Sequence, residues 1–160
     1  MIFPQRLKEQ HGIMNLTDIL LIEDNSHDIE MILDTFREKN VSNKVRVLRN
    51  GAEALDYFFG PQERLQEADF FCPRFILLDL KLPKIGGLEV LRRLKSDERT
   101  RNIPTIVFSS SNEARDRAES YLLGANSYVV KPLDADSFSR FVADIASYWL
   151  LMNRTPYQDR

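Results

Sequence analysis

Four short apolar runs recur along the 160-residue chain, Ile19–Ile22, Phe75–Leu78, Ile106–Phe108 and Tyr128–Val130, and no polar residue interrupts them. Runs this short do not make helices, and they lack the period-two alternation of a half-solvated strand, so they predict parallel strands covered on both faces. A fifth segment, Val45-Arg46-Val47-Leu48-Arg49, does alternate. One face of it meets solvent, which places it at a sheet edge.

Between the strands the apolar spacing becomes helical. Ile29, Ile32, Leu33 and Phe36 follow Asn25 or Ser26 as N-cap, and Ala54, Leu55, Phe58 and Phe59 run into Gly60-Pro61. Leu88, Val90, Leu91 and Leu94 follow Gly86-Gly87, a fourth helix spans about 113–123 and is closed by Gly124, and Phe138, Phe141, Val142, Ile145 and Trp149 form a last stripe capped by Asp134 or Asp136. Strand and helix thus alternate five times, and right-handed crossovers put helices on both sheet faces. The expected fold is α/β, a doubly wound five-stranded parallel sheet, flavodoxin-like in its strand order 2-1-3-4-5, with five helices. Residues 1–16 read as an N-terminal arm, 17–149 as the domain and 150–160 as a tail. The connection over 60–73 is long and is expected to hold an extra turn near Glu63–Ala68.

Composition excludes several classes of function. Lys and Arg number 22 against 24 Asp and Glu, for a net charge of −2, without the basic excess that sequence-blind phosphate binding needs. Direct nucleic-acid binding is not expected. The single cysteine, Cys72, excludes an internal disulfide and a multi-cysteine zinc site; it reads as a packed residue, and His11 and His27 as surface residues. No apolar run approaches the roughly 20 residues of a membrane helix, and the first residues lack the apolar segment of a secretory signal. The expected location is cytoplasmic.

In an open parallel sheet, ligands bind beyond the carboxyl ends of the strands. Those ends carry Glu23-Asp24, Asp79, Ser109-Ser110-Ser111 and Lys131-Pro132. Converging carboxylates repel unless a cation sits among them, and hard oxygen ligands that share the ion with water suit Mg2+. One carboxylate can then attack phosphorus while the metal, Lys131 and Ser109 hold the phosphoryl oxygens. Any one of these residues alone would read as a cap or a solvated loop position; their joint placement at successive strand ends favours a site.

LLIEDN (20–25), ILLDLKLPKIGGLEVL (76–91), IPTIVFSSS (103–111) and YVVKPL (128–133) resemble the receiver domain of bacterial two-component response regulators over about residues 18–148. The resemblance implies that Asp79 accepts a phosphoryl group from a sensor histidine kinase, that Glu23, Asp24, Asp79 and the Lys81 backbone carbonyl hold Mg2+, and that Lys131 is the conserved-role lysine. It also implies Ser109 as hydroxyl switch and Tyr128 as aromatic switch. SYWL (147–150) and the long loop before PRFILLDL resemble phytochrome response regulators, making a phytochrome the narrower kinase candidate. Gly86-Gly87 stands where many receivers have Asp-Gly, with no expected loss of chemistry.

Three further expectations follow. The Lys131–Pro132 bond is expected cis. Lys81 and Ser111 offer no carboxamide or carboxylate to orient attacking water, so the phosphoryl group should be long-lived. Five consecutive large apolar residues, Tyr148-Trp149-Leu150-Leu151-Met152, cannot all face inward from one helix, which predicts a homodimer through the face of the fourth helix, fifth strand and fifth helix. Output would come from protein contacts or from phosphate relay, since too few residues follow the last helix for an output domain. The competing readings are an aspartyl-phosphate-forming hydrolase, which wants an acid where Lys81 stands, and an unphosphorylated docking module. A nucleotide-binding fold lacks its Gly-rich loop.

Overall fold

The computed structural model describes residues 17–61 and 73–156. The arm with His11, the extra turn expected in the long connection, and Cys72 lie outside the described residues. The elements run β1 (Ile19–Ile22), α1 (Ser26–Glu38), β2 (Val45–Leu48), α2 (Gly51–Phe59), β3 (Phe75–Leu78), α3 (Gly87–Ser96), β4 (Thr105–Ser109), α4 (Ala114–Leu122), β5 (Ser127–Val130) and α5 (Ala135–Ser147). The five strands are ordered β2-β1-β3-β4-β5 and every neighbouring pair is parallel, as the apolar runs required.

Alternating side chains of the central strands feed two cores. Ile19, Leu21, Phe75, Leu77, Ile106 and Phe108 meet Ile29, Ile32 and Phe36 of α1 and Phe138, Val142 and Ile145 of α5. On the other face Leu20, Ile22, Ile76, Leu78 and Val107 meet Ala54 and Phe58 of α2 and Val90, Leu91 and Leu94 of α3. Each fully buried side chain of this kind is worth about 1.5–3 kcal/mol over exposure. α1, α2 and α5 start at side-chain caps: Asn25, Asn50 and Asp134 accept hydrogen bonds from the backbone N–H of Asp28, Glu53 and Ser137 at 3.0, 2.8 and 2.8 Å.

Two expectations are corrected. β5 is half-buried along its whole length rather than covered on both faces, because it forms the second edge of the sheet and has a neighbour on one side only. The Lys131–Pro132 bond is trans: the Lys131 N–H continues the ladder to Ser109 O at 2.8 Å, and the four-carbon side chain covers the remaining distance, so no sharp turn is needed. The apolar stretch after α5 forms a π-helical turn, Tyr148–Met152. Leu150 is buried at 3% exposure while Tyr148 and Met152 stay 47% and 63% exposed, the split that a helical distribution of five large residues demands. Among the described residues no helix is long and apolar enough to cross a membrane.

Candidate functional site

β1 and β3 pair with Ile22 opposite Leu78, so the residues that follow leave the sheet side by side. Glu23 and Asp79 are buried and Asp24 is exposed. One carboxylate oxygen from each of the three lies within 4.8 Å of the others. Asp79 is tied to the sheet by its N–H, which donates to Ile22 O at 3.0 Å. Lys131 arrives from the end of β5. Its ammonium donates to Glu23 Oε2 at 2.7 Å and to Asp28 Oδ2 at 2.8 Å, and stands 3.8 Å from Asp79 Oδ1. Glu23 Oε1 accepts the N–H of Asn25 at 3.1 Å.

Asp79 Oδ1 is buried and has no hydrogen-bond partner. Leaving a buried acceptor unmet costs about 1–3 kcal/mol and more when it is charged, so the site stores electrostatic demand. Burial, and then the charge of Asp79, push the Glu23 carboxyl up to about 7 against the pull of Lys131. For Lys131 burial alone acts downward. Its hydrogen bond to Asp28, the charge of Asp79 and the contacts with Glu23 outweigh that and hold it above the ordinary lysine value. Three hard oxygen donors, one of them open to solvent and one unsatisfied, fit a divalent cation that keeps part of its water shell. Lys81, whose carbonyl is the expected further ligand, follows Asp79 by two residues and is exposed.

Ser109 ends β4 fully buried, and its Oγ accepts the N–H of Ser111 at 3.2 Å. Ser111 in turn is a hub. Its carbonyl accepts the Tyr128 hydroxyl at 2.8 Å, and its own hydroxyl donates to Asp116 Oδ2 of α4 at 2.5 Å. A chain of hydrogen bonds thus joins both expected switch residues to the first turns of α4. His27 is exposed on α1, as expected.

Sequence reasoning overlooked two contributors. Asp28 stands in the first turn of α1, four residues after Asp24, and it meets Lys131 only through a pairing across 103 residues. Its one sequence signal was an acidic side chain one helical turn from the rim. Gly87 was read as a chemically neutral departure. A Cβ built there would lie 2.3 Å from Asp79 O and 2.6 Å from Leu80 Cα, so the start of α3 presses directly on the backbone that carries Asp79.

The family model described as a response regulator receiver domain matches residues 19–143. The probable methanogenesis regulatory protein FilR2 of Methanothrix harundinacea is 40% identical over 139 residues, 86% of either chain. Among solved structures, the phosphorylated cyanobacterial phytochrome response regulator RcpA is similar with a TM-score of 0.80 at 35% identity, covering 88% of this chain and 99% of that one. The Mn(2+)-bound form of response regulator Rcp1 is similar with a TM-score of 0.76 at 30% identity, covering 86% and 97%.

Proposed function

The chain belongs to the response regulator receiver domain family, and we propose that it carries its signal as a phosphoryl group on Asp79, received from a histidine kinase. The observation that carries this reading is the buried Asp79 Oδ1, without a hydrogen bond, between two further carboxylates and the Lys131 ammonium 3.8 Å away. Mg2+ held by Glu23, Asp24, Asp79 and the Lys81 carbonyl would neutralise phosphoryl charge and set its orientation. In the transfer an Asp79 oxygen bonds to phosphorus as the bond to the kinase histidine nitrogen breaks, and that nitrogen keeps the electron pair. Lys131 stays protonated throughout and donates to a phosphoryl oxygen. Catalysis here consists of holding and neutralising charge.

Ser109 then gives up the Ser111 N–H and turns its hydroxyl toward the phosphoryl group, loosening the network that binds Tyr128 and Asp116. α4 is suited to respond, because among its residues only Ser120 is buried. Neither Lys81, which is exposed, nor Ser111, whose hydroxyl is engaged by Asp116, is placed to orient a water molecule, which supports a long-lived phosphoryl group. A hydrolase reading finds no acid at position 81.

The likeness to RcpA and to the bacteriophytochrome response regulator RtBRR, which is 42% identical with a TM-score of 0.67, supports a phytochrome kinase, and we place the pair in the cytoplasm. Phe141, Tyr148 and Met152, exposed on α5 and the turn after it, support a homodimer through the α4–β5–α5 face. Leu150 belongs to the core, so the dimer is tested with Tyr148→Glu and Met152→Glu by light scattering rather than by truncation; dimers that persist would refute this interface. Phosphorylation is tested by intact-mass measurement after incubation with acetyl phosphate and Mg2+. Wild type gains one phosphoryl group and Asp79→Asn none; equal labelling would refute the assignment.

A further inference from the structure

Asp28 has no part in the scheme above, yet it makes one of the two hydrogen bonds of the Lys131 ammonium. We propose that Asp28 is a positioning residue: by holding Lys131 at 2.8 Å it keeps the ammonium from tightening its 3.8 Å ion pair with Asp79 into a hydrogen bond, and so leaves Asp79 Oδ1 without a hydrogen bond until a phosphoryl group arrives. This inference rests on the reading of Asp79 as phosphoacceptor.

The geometry argues for a withheld cation. An ammonium has three N–H donors. Two are committed to Glu23 and Asp28, and 3.8 Å is beyond hydrogen-bond reach of Asp79 Oδ1. Ordinarily a buried lysine beside a buried, unsatisfied carboxylate closes on it, since a charge-assisted bond at about 2.8 Å is strong. What opposes closure is a competing anion on a rigid support. Asp28 sits in the first turn of α1, its N–H capped by Asn25 Oδ1 at 3.0 Å and its neighbour Ile29 packed in the core. Its side chain is only 20% exposed, so water screens the pair weakly.

Without the Asp28 carboxylate, the freed N–H has Asp79 Oδ1 as its nearest unmet acceptor. Closing on it needs a movement of about 1 Å, from 3.8 Å to ordinary hydrogen-bond length. Asp79 then becomes a poorer nucleophile, and Lys131 is committed before there is a phosphoryl oxygen to receive it. In the wild type the third N–H, committed to neither Glu23 nor Asp28, is delivered to the phosphoryl oxygen as the bond from Asp79 to phosphorus forms and the donor's bond breaks; no proton changes hands at Lys131.

The test uses the full chain with saturating Mg2+ and a series of acetyl phosphate concentrations. Asp28→Ala is expected to lower the limiting labelling rate by about tenfold to a hundredfold, the upper figure being what a displacement of about 1 Å near reacting atoms can cost, with the half-saturating donor concentration unchanged. Asp28→Glu should restore the rate, and Asp34→Ala, which removes a different α1 carboxylate, paired with Arg37, should label as wild type. Should Asp28→Ala fail to fold, Asp28→Asn keeps the volume without the charge and should also be slow. A crystal structure of the metal-free variant gives a readout independent of labelling: Lys131 Nζ within hydrogen-bond distance of Asp79. A limiting rate that is unchanged or faster, or an Nζ still apart from Asp79, overturns the proposal. Labelling of Asp79→Asn would instead overturn the phosphoacceptor reading beneath it.

Discussion

Gly86 and Gly87 are adjacent, yet the structure assigns them opposite tolerance for a methyl group. At Gly87 a Cβ would stand 2.3 Å from Asp79 O, 2.6 Å from Leu80 Cα and 3.1 Å from Asp79 C, far inside the roughly 3.5–4.0 Å at which heavy atoms attract. All three are backbone atoms, and the Gly87 N–H is itself bonded to Leu80 O at 2.9 Å, so neither side can give way alone. Overpacking of this kind costs about 1–3 kcal/mol. At about 2–4 °C per kcal/mol for a chain of this size, Gly87→Ala should lower the melting temperature by about 4–8 °C for the middle of that range. The strain falls on the peptide that carries Asp79, so labelling by acetyl phosphate should drop along with stability. At Gly86 the nearest atom to a Cβ is Leu80 O at 3.9 Å, and its φ of −70° and ψ of 160° suit any residue. Gly86 is the N-cap of α3, where glycine is favoured over alanine; that preference offsets the roughly 0.4–1 kcal/mol gained through the unfolded chain, so Gly86→Ala should be close to neutral. Circular-dichroism melts and the labelling assay on both variants make the comparison. A Gly87→Ala protein that melts and labels as wild type, or a Gly86→Ala protein that is the more damaged, would refute the close-approach argument.

Other outcomes follow from the same geometry. Lys84 holds φ at 67°, a left-handed conformation costing a non-glycine residue about 1–2 kcal/mol, so Lys84→Gly should raise stability by up to about 1 kcal/mol in urea titrations, whereas Asn40, at φ 55°, is a type that tolerates the region and should gain little from glycine. Glu23 ionises at about 7 in the fold, against 4.5 for an ordinary glutamate, chiefly through burial and then Asp79. The folded state therefore binds more protons across that window, and stability falls as pH rises through it, by about 3 kcal/mol at most at about 1.36 kcal/mol per pH unit. In EDTA the stability difference between wild type and Glu23→Gln should change with that sign between pH 4.5 and 7, and Mg2+ should flatten it; a flat difference without metal would contradict the burial assigned to Glu23.

The parts of the molecule that could be read from the chain are those set by local pattern. Ile19–Ile22 and Phe75–Leu78 match their strands at both ends, because a strand covered on both faces has no polar position to blur its limits. The rim residues could be placed because each lies at the end of a strand or within two residues of it, and parallel strands all end on one side. What could not be read depends on which strand has a neighbour, which backbone touches which, and how far a side chain must reach. Tyr128–Val130 is as apolar as the central runs, and only the sheet order leaves it half-exposed. Gly87 is required by Asp79 and Leu80, which approach it in space. Asp28 acquires its meaning from Lys131, on the far edge of the sequence but next to it at the rim.

On the proposed scheme, the division of labour among the helices would let one added phosphoryl group change this surface without threatening the fold. α1, α2, α3 and α5 each contribute apolar side chains to a core cluster, whereas none of the residues of α4 belongs to either. α4 is instead tied at its start by polar contacts: Ser111 Oγ to Asp116, and Arg117 to Asn112 Oδ1 at 3.3 Å. A typical intramolecular hydrogen bond contributes about 0.5–1.5 kcal/mol net, while one to a charged group contributes about 1.5–3. Giving up the Ser109–Ser111 bond and one of these tethers is thus within what two charge-assisted bonds to a phosphoryl group, from Ser109 and Lys131, supply. Moving α5 would mean exposing Phe138, Val142 and Ile145, at about 1.5–3 kcal/mol each, which those bonds do not cover. On that scheme the change would be confined to α4 and the adjoining edge of β5, the side on which Tyr121 and Leu122 are already exposed.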